Sequence, residues 1–244
     1  MGTAIMVTSG KGGTGKTSLT AAVSSCLAAL GKRVLCIDLD IGLRNLDLAL
    51  GLDDRAVMDF TDVMELRCPL LTAVTEHPRI RGLYLLTAPL NLEDPDVPAF
   101  CRMVENARDC FDFVVMDSPA GLGDGFRLAK AAADRAIVVS AIDPAALRDA
   151  QRAVTELLGQ IKDIHLVMNR VQPKLIHKLR TNIDEAMDTA GLPLLGIVPE
   201  DKDVMMAAGS GVALALFSHK QAAHAYLNIA KRLLGAKVPL MRIR

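Results

Sequence analysis

The run Gly10, Lys11, Gly12, Gly13, Thr14, Gly15, Lys16, Thr17 limits what this chain can fold into more than any other stretch. Four glycines in eight residues are poor material for a helix or strand interior, so the run reads as a loop. Ala4 to Ser9 before it is a short β-prone run. After it, from Ser18 to Leu30, Leu19, Ala22, Val23, Cys26, Leu27 and Leu30 recur at helical spacing. A loop between a strand and a helix turns successive backbone N–H groups into one concavity, and the helix adds the positive end of its dipole. That setting favours a bound anion.

Two phosphate-binding patterns overlap on the loop. Gly10, Gly12 and Gly15 fit G-x-G-x-x-G, with Asp38 about 20 residues further on, as a dinucleotide site expects. Gly10, Gly15, Lys16 and Thr17 also fit G-x-x-x-x-G-K-[ST], in which the lysine meets the β/γ-phosphates and the hydroxyl binds Mg²⁺. Lys16 and Thr17 favour the second pattern, because a dinucleotide site has no use for an ammonium and a hydroxyl after its third glycine. A nucleotide triphosphate cradle over Gly10 to Ser18 is therefore expected, and a nicotinamide-dependent oxidoreductase is the remote alternative.

Lys11 occupies a position that the pattern leaves free, a second cation beside phosphates already served by Lys16. With it the loop reads K-G-G-x-G-K-[ST] and resembles the MinD/ParA deviant Walker A family of P-loop ATPases. The resemblance covers nearly the whole chain and is strongest at residues 5–17, 34–51, 114–121 and 196–204, where the MinD branch is matched most closely. It implies ATP hydrolysis to ADP and phosphate with Mg²⁺. It also implies an ATP-dependent homodimer in which Lys11 reaches the partner's nucleotide, slow turnover acting as a spatial switch, and MinC-like or MinE-like protein partners. ParA-like or flagellar-number-type positioning on a DNA or protein scaffold is the alternative within the family.

Composition bounds these readings. The 244 residues suit one large α/β domain, and no repeat, low-complexity tract or linker interrupts them. We read residues 1–235 as one ATPase domain and 236–244 as a short basic and apolar tail. Basic and acidic side chains cancel at 28 each and there is no Trp, which leaves no strong nucleic-acid signature. The 5 cysteines form no C-x-x-C pair, as in a reduced cytoplasmic protein. No apolar run approaches the roughly 18 residues needed to cross a bilayer.

Beyond Gly31, Arg33 to Asp38 is almost continuously apolar, the mark of a buried parallel strand. Similar runs at 83–87, 113–117, 136–140, 164–169 and 194–198 alternate with helical patterns, and Asp143 and Pro144 read as the cap and first residue of one such helix. The expected fold is a mostly parallel α/β sheet with helices on both faces, its strand ends bringing Asp38, Asp117 and Asn169 to one edge with the loop.

Those strand ends carry the remaining candidates. Asp38 and Asp40 leave the second strand two residues apart, and carboxylates beside a polyphosphate call for an intervening cation, here Mg²⁺. Asp117 ends the apolar run Val114 to Met116 as a Walker B aspartate, with Thr17 as its fellow metal ligand. The family resemblance gives Asp38 a supporting place in the Mg²⁺ shell, gives Asp40 the attacking water, and makes Asp117 to Gly121 a switch loop. Asn169 and Arg170 are candidates for reading and stacking on adenine. Residues 197–204, including Pro199 and Asp201, resemble the wall of the base pocket.

The 26 residues from His219 hold six Lys or Arg and no acid. Ala222, Ala223, Tyr226, Ile229, Ala230, Leu233 and Leu234 give a helix an apolar face that packs on the core. The family's membrane-docking amphipathic helix implies peripheral contact at the inner face of the cell membrane. Here Pro239 leaves only five residues after it, too few for a stable helix, so weak contact or a core-docked tail is expected.

Overall fold

The computed structural model describes residues 1–53, 55–172 and 183–241. An eight-stranded sheet runs through them in the order β3-β4-β2-β5-β1-β6-β7-β8. The strands are β1 (Thr3–Thr8), β2 (Val34–Asp38), β3 (Thr75–Glu76), β4 (Leu83–Leu86), β5 (Phe113–Asp117), β6 (Arg135–Ser140), β7 (Asp163–Val171) and β8 (Leu194–Pro199). All neighbours pair in parallel except β3, a two-residue antiparallel edge on β4 that the sequence reading did not anticipate. So short a strand lies below any hydrophobic periodicity.

Because every interior strand is covered on both faces, alternate side chains enter two separate cores. Ile5 and Val7 of β1 face the layer made by α1 (Lys16–Ala29), α2 (Asn45–Leu50) and α11 (Gln221–Leu233). Ala4 and Met6 face the opposite layer, built from α5 (Val97–Cys110), α6 (Asp124–Ala132), α7 (Pro144–Leu157) and α8 (Ile183–Ala190). The short helices α3 (Phe60–Met64), α4 (Leu70–Ala73), α9 (Lys202–Gly209) and α10 (Leu214–Phe217) fill the margins. Asp143 caps α7 as expected, its Oδ1 accepting from the Ala146 N–H at 2.9 Å with Pro144 as the first helical residue.

Strand order positions the site. From β1 the chain crosses to β2 on the far side of β5, whereas after β5 it passes to β6 on the other flank of β1. The reversal opens a crevice at the carboxyl ends of these central strands, and the glycine loop leaves β1 into it. In register, Asp117 of β5 sits beside both Val7 of β1 and Asp38 of β2.

The tail follows α11 back along the molecule. Arg232 donates to the carbonyls of Leu195 on β8 at 2.8 Å, Val238 at 3.0 Å and Pro239 at 2.7 Å, and Met241 packs against the α1 and α11 core. Arg242, Ile243 and Arg244 of the predicted tail lie outside the described residues.

Buried His77 ties the β3–β4 edge to α2. Its Nδ1 accepts from the N–H groups of Arg79 at 3.1 Å and Ile80 at 3.0 Å, which leaves Nε2–H to donate to the Leu50 carbonyl at 3.1 Å. Burial lowers its pKa below the usual histidine value, and the nearby Arg79 and Arg55 charges act in the same direction. The folded protein thus binds fewer protons here than the unfolded chain. The stability held by neutral His77 is full above about pH 6.5 and declines as pH falls below it. We expect the denaturant midpoint of the wild type to drop more between about pH 7.5 and 5.5 than that of His77→Gln. Parallel pH profiles for the two proteins would refute the assignment.

Candidate functional site

The glycine loop closes against two distant elements. A Cβ on Gly10 would lie 2.0 Å from the Asp149 carbonyl oxygen on α7, and one on Gly15 would lie 2.4 Å from the Asn169 amide nitrogen at the end of β7. Gly13 and Gly15 also hold left-handed backbone angles, φ +77° and +87°. Gly12 differs: its φ is not positive, and a Cβ there would meet nothing within 4 Å. No packing inside the protein requires a glycine at position 12.

Below the loop, Lys16 is buried, and burial lowers its pKa while the charges of Asp117 and Asp40 resist the shift. Thr17 donates to Asp117 Oδ2 at 2.6 Å, and Thr20, one turn further along α1, donates to Asp117 Oδ1 at 2.9 Å. Asp38 accepts the Asp40 N–H at 2.8 Å on one oxygen and the Leu46 N–H at 3.0 Å on the other. It therefore folds the loop between β2 and α2 back over its own strand end. Asp40 itself stands half-buried in that loop, with the Asn45 amide 3.4 Å from its Oδ2.

Charge is unbalanced at these strand ends. Burial pushes the Asp38 carboxyl up to about 7, and the neighbouring Asp117 charge adds to the effect. Burial likewise pushes Asp117 up to about 6, against the Thr17 and Thr20 hydroxyls and the Lys16 ammonium, all of which favour its ionised form. Two buried carboxylates and a hydroxyl are hard oxygen donors, and Lys16 is the buried cation beside them. The set fits a small divalent cation such as Mg²⁺, which binds through one or two carboxylates and keeps places for phosphate oxygens and water.

Beside the loop lies an open cavity of about 210 Å³, lined by Gly13, Gly15, Ser18, Asn169, Arg170, Pro199, Glu200, Asp201, Val204, Met205 and Tyr226. The sequence candidates for the base pocket thus converge, though several are engaged with the protein itself. Asn169 donates its amide N–H to the Thr14 carbonyl at 2.8 Å and lines the cavity together with Tyr226 of α11. Arg170, in a left-handed conformation at φ +56°, donates to the Gly13 carbonyl at 2.9 Å and pairs with Glu200 at 3.1 Å. Asp201 caps two helices, accepting the Asp203 N–H at 3.0 Å and the Ala222 N–H at 3.2 Å. Ser18 and Pro199 line the cavity, whereas Lys11 stands exposed in a neighbouring depression with Gly12, Asp143, Arg170 and Glu200.

Two residues at the site, Thr20 and Tyr226, escaped the sequence reading, while Glu200 lies within the 197–204 wall that the sequence singled out. Thr20 carried a usable signal, since it shares a helix face with Thr17 at three residues' distance. Glu200 follows directly on Pro199 at the end of β8. Tyr226 carried no such signal, because its place on the apolar stripe of α11 accounts for it without any site.

Comparison with known proteins agrees with this geometry. The CobQ/CobB/MinD/ParA nucleotide binding domain matches residues 5–214. The chain is 41% identical to the septum site-determining protein MinD of Bacillus subtilis, over 98% of this chain and 92% of that one. With MinD of Synechocystis the identity is 38%, over 97% and 91% of the two chains. The MinD chain in the MinC:MinD cell division protein complex of Aquifex aeolicus superposes with a TM-score of 0.92 at 35% identity, covering 98% of each chain. The septum site-determining protein MinD from Pyrococcus horikoshii, solved with Mg-ADP, gives 0.84 at 26% identity, covering 98% of this chain and 100% of that one.

The two kinds of glycine separate experimentally. Without nucleotide, Gly10→Ala should destabilise the fold by about 1–3 kcal/mol, because the added methyl meets backbone that cannot yield. Gly12→Ala should stay within about 0.5 kcal/mol of wild type yet weaken nucleotide binding. Denaturant titration and nucleotide binding on the two variants test this, and equal stability losses would refute it.

Proposed function

Because this chain belongs to the MinD/ParA family of P-loop nucleotide-binding proteins, we propose that it performs MinD-type ATP hydrolysis as a switch in placing the division site. The observation that carries the reading is buried Lys16 and Asp117 with half-buried Thr17 between them under the glycine loop, and Asp38 and Asp40 at the adjacent strand end. That arrangement also disfavours the dinucleotide alternative, which would place close helix packing where Lys16 and Thr17 present a cation and a hydroxyl.

The residues divide the work by position. Loop N–H groups of residues 10–15 and the Lys16 ammonium hold the phosphates, and Ser18 borders the adjoining base cavity. Thr17 and Asp117 would hold Mg²⁺, with Asp38 lending negative charge from behind while it fastens the loop. When bound, the ion offsets charge on the phosphate oxygens as the terminal phosphoryl group departs. Asp40, free to turn within its loop, orients the attacking water and accepts its hydrogen bond. Asn169 and Arg170 act on the base side by fixing the loop carbonyls of Thr14 and Gly13, and Pro199 and Asp201 close the cavity wall.

Lys11 stands exposed on the glycine loop, which suits contact with nucleotide held by a second copy. Exposed apolar side chains support a homodimer on this face: Leu43 is 68% exposed, Leu90 65% and Leu122 51%, each on a loop leaving the carboxyl end of a strand. A MinC-like partner follows from the complex known for the Aquifex relative, and a MinE-like protein is the natural candidate to stimulate hydrolysis. Residues 1–235 act as the ATPase unit. The Arg232 bonds hold the start of the tail to the protein, so peripheral membrane contact through 236–244 requires their release. No described helix is long and apolar enough to cross a membrane.

Size-exclusion chromatography with light scattering on Asp40→Ala tests the reading. We expect a doubled mass with Mg²⁺ and ATP, a monomer with Mg²⁺ and ADP, and no dimer once Lys11→Ala is added. Hydrolysis by Asp40→Ala should fall about 100-fold or more. A protein that binds ATP yet stays monomeric in both nucleotides would sink the switch and leave only a nucleotide-binding function.

A further inference from the structure

We propose that Thr20 is a positioning residue for the nucleotide-bound metal, acting through Asp117. The proposal rests on the P-loop ATPase reading and extends it to a residue outside the phosphate-binding motif. Thr17 and Thr20 lie three residues apart on α1, and each hydroxyl takes one oxygen of the Asp117 carboxylate, at 2.6 Å and 2.9 Å. Between them they fix both the position and the rotation of that group.

The two hydroxyls differ in what else they can do. Thr17 is half-buried in the first turn of the helix and belongs to the motif whose hydroxyl turns toward the metal. Thr20 is 0% exposed in the second turn, so it cannot reach a ligand, and its hydroxyl donates to Asp117 alone. When Thr17 serves the metal, Thr20 is the described side-chain donor that still holds Asp117. Without Thr20, one oxygen of a fully buried carboxylate loses its donor and the carboxylate is free to rotate away from the metal-facing orientation.

The test measures release of a fluorescent ADP analogue from the full chain over a Mg²⁺ titration, alongside ATP hydrolysis. Thr20→Val keeps the shape of the side chain and removes its donor. It should raise the Mg²⁺ midpoint for nucleotide retention about tenfold or more, while release in excess chelator matches wild type. Thr20→Ser should restore the midpoint. In an Asp117→Asn background, Thr20→Val should add little, because the effect runs through the missing carboxylate. An unchanged midpoint in Thr20→Val, or full additivity with Asp117→Asn, would overturn the proposal. If Thr20→Val does not fold, Thr20→Ala is read in the same way. Should wild type itself show no Mg²⁺-dependent retention, the nucleotide reading fails first, an outcome distinct from failure of Thr20 alone.

Discussion

The site depends on a carboxylate buried where the sheet can least accommodate it. Asp117 ends β5, between β1 and β2, at 1% exposure, and burial alone would drive it toward its neutral form. Two threonine hydroxyls from α1 and the buried Lys16 ammonium keep it usable as an anion. The helix that begins at the end of the glycine loop thus also secures the acid that ends β5, which couples loop, helix and strand.

Around that point, the loops that leave β2 and β5 are tied to the strand ends and carry exposed side chains further out. Asp38 anchors the start of the segment between β2 and α2, the Leu39 N–H donates to the Asp117 carbonyl at 3.0 Å, and the Ser118 N–H donates to Val7 at 3.1 Å. Beyond these ties, Asp40, Leu43 and Leu122 remain at or near the surface.

On the opposite flank, the cavity beside the loop is a structural joint as well as a pocket. Asn169 holds the Thr14 carbonyl, and Asp201 caps both α9 and α11. The amide expected at an adenine edge is thus engaged in holding the glycine loop. The sequence located this region but not its bonds, because an amide at a strand end fits a base, a cap or a loop carbonyl equally well until the neighbouring chain is placed.

What the sequence determined by itself was whatever depends on local chemistry. Glycine spacing, the Lys16–Thr17 pair, acids closing apolar runs and the alternation of strand and helix patterns sufficed for the parallel sheet, the glycine loop after β1 and the aspartate that ends the neighbouring strand. The α7 cap at Asp143 was legible for the same reason. Tertiary structure alone decided which residues meet across long separations: Gly10 against Asp149, Asn169 against Thr14, Thr20 against Asp117, Arg232 against the tail. Those contacts are set by strand order and helix packing. Residues 97 positions apart in the chain leave no mark in each other's local pattern, so Thr20 and Asp117 become partners only when β5 takes its place beside β1.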